Sequence, residues 1–160
     1  MKKIFTVVVL GAFCFVNAQS FKGYGDSKFN VGMNIQDGGT GIQVSSDYGL
    51  GENISVGVLA SYLLGGTNIN NVSFSDRFDA KVRFNANLGN VIKIDPKLDV
   101  YPGLNLGLKN FGGHLGARYF FTEGFGVYSE LSFPIAKYNT NNLGYNNQTT
   151  FNIGASFNMN

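Results

Sequence analysis

Phe78-Asp79-Ala80-Lys81-Val82-Arg83-Phe84-Asn85-Ala86-Asn87-Leu88 decides the fold of this chain. Apolar and polar residues alternate through it without a break. Phe78, Ala80, Val82, Phe84, Ala86 and Leu88 share one face; Asp79, Lys81, Arg83, Asn85 and Asn87 share the other. A period of two is the signature of a β-strand with one apolar and one polar side.

The same period runs outward in both directions, and no stretch beyond residue 18 sustains the i, i+3, i+4, i+7 spacing of a helix. It predicts eight strands, at roughly 27–37, 41–50, 53–64, 76–88, 97–109, 113–121, 125–135 and 150–159. Asp37-Gly38-Gly39-Thr40 supplies a tight turn between the first two. Residues 65–75 read as a polar loop, 89–96 as a connector with a short helical turn, and 136–148 as an Asn-rich loop. Pro102 keeps the alternation of the fifth strand but removes a ladder hydrogen bond from it, and is read as a bulge rather than as a sign that the strand is misread. An even count of strands, each near ten residues, suits a tilted membrane strand of about 9–11 residues.

Volume decides which face points outward. The apolar faces carry roughly forty side chains, many of them Phe, Leu, Tyr or Ile. A close-packed eight-stranded parallel barrel holds only about twelve interior side chains, so most of the apolar face must look out into something equally apolar. The strand charges Asp79, Lys81, Arg83, Asp99, Arg118 and Glu130 then fall inside as a balanced network. On the lipid face a mid-bilayer Lys or Arg would cost about 2–4 kcal/mol. Gly32, Gly57, Gly103, Gly107, Gly116, Gly126 and Gly154 share the polar face, where a narrow lumen needs residues without bulk. With strands alternating in direction, Phe29, Tyr48, Tyr119, Phe121, Phe125 and Phe157 gather at one end. Tyr62, Phe78, Phe133 and Phe151 gather at the other. Two aromatic girdles at the membrane interfaces are the expected result. The fold class is therefore all-β, an eight-stranded antiparallel up-and-down transmembrane β-barrel.

Composition narrows the function. The chain has 160 residues, with 22 Gly, 15 Phe, 8 Tyr and no Trp, and only 14% of it is charged. It is too apolar and aromatic for disorder and has no basic excess for nucleic acid. Residues 1–18 carry Lys2-Lys3, an apolar run from Ile4 to Val16 and Val16-Asn17-Ala18 before Gln19, the layout of a secretory signal cleaved after Ala18. Phe13 stands before Cys14 where a lipid-attachment site carries a small residue, so lipidation is not expected. Residues 19–160 remain as the barrel domain. Without Lys2 and Lys3, the 12 Lys and Arg fall to 10 against 10 Asp and Glu, so its net charge is zero.

Leu98-Asp99-Val100-Tyr101-Pro102-Gly103-Leu104-Asn105-Leu106-Gly107-Leu108, Gly113 to Thr122, and Phe125 to Leu131 resemble small outer-membrane β-barrel proteins of Gram-negative bacteria, of the OmpX, OmpW and OmpA-barrel type. The resemblance implies a monomer among outer-membrane lipids, inserted by the barrel-assembly machinery, with Phe157 as the aromatic end of the last strand. It implies no common chemistry.

Arg118 and Glu130 would be directly opposite if the hairpin between their strands turns near Gly124. They are read as a structural ion pair rather than a gate. His114 is the only His, and without Cys in the mature chain a zinc site is not expected. A triad at His114 would make the protein a lipid-modifying enzyme, but no Ser or acid is fixed beside it in sequence. No catalytic residue, metal or cofactor is assigned. A structural or surface-interaction role is the first expectation, with loops 65–75 and 136–148 as the places to meet a ligand. A narrow porin-like passage is the alternative. The mature chain should need detergent to stay dispersed; a preparation dissolved in plain buffer would favour a secreted ligand-binding barrel instead.

Overall fold

Alternation puts every second side chain on one surface of a sheet, and here the sheet curls until that surface is closed. The computed structural model describes residues 19–67, 69, 72–138 and 144–160. The predicted signal segment lies outside the described residues, as do parts of both long loops. Eight strands run in chain order: β1 (Ser27–Gln36), β2 (Gly39–Gly51), β3 (Ile54–Gly66), β4 (Phe78–Ala86), β5 (Leu98–Gly107), β6 (Asn110–Phe120), β7 (Phe125–Lys137) and β8 (Thr150–Asn158). Each pairs antiparallel with its sequence neighbour, and β8 closes on β1 through pairs from Lys28↔Asn158 to Gln36↔Thr150. This is the predicted fold class.

Among the described residues two single-turn α-helices sit in the connections, α1 (Phe74–Arg77) and α2 (Gly89–Ile92). α1 corrects the expected start of the fourth strand at residue 76. The Ser73 hydroxyl accepts from the Asp76 N–H at 3.3 Å, and this N-cap winds Asp76 and Arg77 into a turn before the strand begins.

Pro102 is not a bulge. It pairs with Leu115 in an unbroken β5–β6 register. On its other side Asn85↔Gly103 is followed by a Leu88 N–H donating to the Val100 carbonyl at 2.9 Å, which is the same register continued. Residues 100 and 102 face the same neighbour, so the donor that Pro102 lacks points at β4, at a place between two intact contacts. The β6–β7 ladder does shift, between Phe111 and Gly112, where Gly112↔Pro134 is followed by Phe111↔Ala136. A Pro in a closed barrel is accommodated there by an extra residue.

Polarity is inverted relative to a water-soluble domain. Among the described residues the buried hydrophobic side chains are Phe21, Leu59, Leu63, Tyr101, Phe120, Tyr128 and Tyr145; the buried polar and charged ones are several times as many. Outward lie Val31, Met33, Ile42, Val58, Val82, Phe84, Leu104, Leu106, Leu115, Val127, Leu131 and Ile153, all exposed.

The polar-face glycines make room for what faces them. Gly32 and Gly154 are paired across the closing seam, and a Cβ on either would run into the opposite backbone. A Cβ on Gly103 would overlap the His114 ring, and one on Gly116 would overlap the Tyr101 ring. Tyr101 is fully buried, so the ring has nowhere to go. Gly116→Ala should therefore destabilise the barrel by about 1–3 kcal/mol, as overpacking does. The urea midpoint of the protein in detergent micelles measures this, and Tyr101→Leu in the same chain should recover part of the loss.

Candidate functional site

Strand parity aims five charged side chains at the middle of the lumen from five different strands. They connect in a line. Glu130 of β7 meets Arg83 of β4, with Oε2 and Nη2 at 2.6 Å. Arg83 Nε lies 3.2 Å from Asp47 Oδ1 on β2. The other Asp47 oxygen is 3.4 Å from Arg118 Nη1 of β6, and Arg118 Nε is 3.1 Å from Asp99 Oδ2 of β5. Asp47 is thus shared by two arginines. The Tyr101 ring lies under both guanidinium groups, 4.4 Å from Arg118 and 5.6 Å from Arg83, a cation–π contact worth most when water is excluded.

Neutral amides extend the network. Asn87 donates to Asp99 Oδ2 at 2.7 Å, Ser55 donates to Asn87 at 2.8 Å, and Asn85 donates to Ser55 at 3.0 Å. His114 Nε2 is 2.8 Å from Asn85 Oδ1, and Asn105 Nδ2 is 3.3 Å from His114 Nδ1. The Arg83 Nη2 also lies 3.4 Å from His114 Nε2, so the imidazole joins the amides to the central line of charges.

Both ends of the lumen are closed by the chain itself. At the termini end the segment before β1 folds across the opening. Phe21 is buried there, and Asp26 accepts from Lys28 at 2.5 Å and from the Lys22 N–H at 2.8 Å. The Lys28 ammonium sits 5.2 Å from the centre of the Phe120 ring. At the loop end Tyr145, Asn146 and Asn147 are buried in the mouth. The Asn146 N–H donates to Gln36 Oε1 at 2.9 Å, its Nδ2 donates to the Arg77 carbonyl at 3.1 Å, and Asn110 donates to the Asn146 carbonyl at 2.8 Å. The Tyr145 hydroxyl donates to the Thr67 and Gly38 carbonyls. Between this cap and the central charges is a cavity of about 10 Å³ lined by Asn34, Gln43, Ser61, Asp79, Lys81 and Ser132, among others. That is room for one water at most.

Of the residues predicted for the lumen, Arg83, Asp99, Arg118 and Glu130 come together in the central line, whereas Asp79 and Lys81 stand apart near the loop end, 3.6 Å from each other. The expected Arg118–Glu130 pair does not form. The β6–β7 register sets Arg118 opposite Tyr128 and Glu130 opposite Gly116, two positions out of step. Each charge finds its partner across the lumen instead. Asp47, the centre of the network, is absent from the sequence prediction although its parity with Gln43 and Ser45 already placed it inside. Nothing in the Asn-rich loop signals that Asn146 turns inward. Ser132 lies opposite His114, but its hydroxyl donates to Glu130 Oε1 at 3.2 Å while both His114 nitrogens are engaged by other residues. Among the described residues no group of three or more His, Cys, Asp and Glu is placed to hold a metal ion.

The predicted rim aromatics lie on the outer surface. Tyr119, Phe121, Phe125 and Phe157 form a chain with ring centres 5.6–6.3 Å apart, and Phe29 is paired with Phe157. Tyr48 extends this belt on β2. At the loop end Phe74 of α1 lies 5.3 Å from Tyr62 and 5.6 Å from Phe78, with Phe133 and Phe151 on β7 and β8.

A closed antiparallel barrel with charges inside and aliphatic groups outside defines the transmembrane class of β-barrel. The chain belongs to a family of unknown function (DUF6646), whose model matches residues 11–159. No curated protein matches it. A solved structure described as "De novo design of transmembrane beta-barrels" is similar in fold, with a TM-score of 0.59 and 14% identity over 86% of this chain and 98% of that one.

Asp47→Asn would leave two buried guanidinium groups facing each other across an uncharged amide. We expect a loss of about 3–5 kcal/mol, the cost of breaking a buried ion pair from one side. The urea midpoint in micelles reads it, and Glu123→Gln in the exposed β6–β7 turn serves as a control that should leave the midpoint in place.

Proposed function

We propose that this protein is an integral barrel of the outer membrane of a Gram-negative bacterium, exported under the signal at residues 1–18, with a structural or surface-interaction role and no catalysis or transport. One observation carries the reading: the lumen is filled with charge-matched side chains and stoppered at both ends by its own chain. Asp26, Asp47, Asp79, Asp99 and Glu130 are balanced there by Lys28, Lys81, Arg83, Lys109 and Arg118. A lumen of this kind braces the wall, much as a packed core does in a soluble domain. Insertion by the barrel-assembly machinery and a monomeric state belong to the same reading, by resemblance to the small outer-membrane barrels. The engagement of His114 with Asn85 and Asn105 supports a structural role for it. With Tyr145 to Asn147 turned inward, a surface ligand would be met by the other parts of the long loops.

Recordings across planar lipid bilayers test this against the narrow-passage alternative. The inserted protein should give a flat baseline; reproducible unitary conductance steps would overturn the structural reading.

A further inference from the structure

The termini end of the barrel has three connections, and one differs in kind. Glu52-Asn53 and Phe121 to Gly124 are short and carry acidic residues. The β4–β5 connection is longer and contains Val91-Ile92-Lys93-Ile94. Several of its polar groups turn toward the barrel mouth. The Gly89 N–H donates to Asp99 at 3.0 Å, Asn90 donates to the Phe21 and Glu52 carbonyls at 3.2 and 3.3 Å, and the Pro96 carbonyl accepts from the Ser20 N–H at 2.7 Å. These contacts tie α2 and the residues after it to the plugged mouth.

What remains on the other side is apolar and uncovered. Val91 is 58% exposed, Ile92 46% and Ile94 76%. Ile92 and Ile94 line a shallow crevice with Leu98 and Val100, which belong to the outward face of β5, so the patch continues the apolar wall. The crevice also includes Asp95, whose carboxylate accepts from the hydroxyl of Tyr119, a member of the aromatic belt. The connection therefore stands at the level where Tyr and Trp mark the membrane interface. Lys93, between the two Ile residues, is exposed and has the stem length to keep its ammonium among headgroup phosphates while its neighbours lie deeper.

We infer that residues 91–94 form an interfacial wedge, seated in the lipid leaflet at the termini end of the barrel with Val91, Ile92 and Ile94 at the acyl boundary and Lys93 at the phosphates. The wedge rests on the membrane reading of the barrel. It enlarges the protein's footprint in one leaflet beside β4 and β5 only, and so fixes its tilt.

The chain has no Trp, so a single introduced Trp reports on its own position. Ile94→Trp, Leu115→Trp on the outer wall of β6, and Glu123→Trp in the acidic turn are each reconstituted in phosphatidylcholine vesicles, with or without bromine on the acyl chains. Retention of the folded barrel is checked by its heat-modifiable gel mobility, with Ile92→Trp in reserve should Ile94→Trp not fold. Bromine should remove most of the emission of Ile94→Trp and Leu115→Trp, and dissolved acrylamide most of that of Glu123→Trp. If Ile94→Trp instead follows acrylamide while Leu115→Trp follows bromine, the wedge is overturned and the membrane barrel stands; the exposed patch then awaits a protein. If Leu115→Trp also escapes bromine, the membrane reading fails and the wedge with it.

Discussion

In hydrocarbon a backbone N–H or C=O has no water to turn to, and each one left unpaired costs several kcal/mol. A sheet with a free edge cannot meet that demand. Closure of β8 on β1 removes the edge, and the other features of the barrel follow from it. The seam is tight: Gly32 and Gly154 face each other in it, with no space for a Cβ on either. Pro102, which can supply only a carbonyl, is tolerated because its missing donor falls between two intact contacts to β4. Pro134 is tolerated by a bulge.

Closing eight strands also sets the width of the lumen, and width governs chemistry. Side chains just fill such a space, so an inward charge cannot keep a shell of water and must find a counter-charge. Arg83 and Arg118 would repel each other in so narrow a space. Asp47 between them, with Glu130 and Asp99 at the two ends, turns the repulsion into a chain of alternating sign. Tyr101 under both guanidinium groups fills the remaining volume, and Gly116 yields the space for its ring. Replacing such a network by apolar groups can be neutral or stabilising in a soluble protein. In this barrel the polar interior also sets the polarity of the two faces: it marks which side of every strand turns away from lipid.

The two stoppers extend the same economy to the ends. The chain before β1 and the loop before β8 both turn inward, and each supplies polar atoms that pair with groups on the strands and on α1. The connection between β4 and β5 does the reverse on its outer side, presenting Val91, Ile92 and Ile94 away from the mouth. Polar side chains inward and apolar ones outward is thus the arrangement of the strands, and the described part of the β4–β5 connection continues it on its outer side.

Alternation in the sequence by itself determined the strand content, which face of each strand is polar and, through the volume of the apolar residues, that this polar face lies inside. These are properties of a strand and its neighbours in the chain, and a period of two carries them. Residues 76–88 show the limit of that reading, because the Ser73 cap that winds Asp76 and Arg77 into a turn competes with the strand locally. Partnership across the lumen was decided only by the tertiary structure. Arg118 and Glu130 share a face and a hairpin, yet the register offsets them and the curvature of the wall brings Asp47 from β2 and Arg83 from β4 between them. Asn146 becomes a stopper because the mouth leaves Gln36 and the Arg77 carbonyl within its reach. Parity travels along one strand, whereas shear, curvature and loop return relate strands far apart in sequence, and those exist only once the barrel has closed.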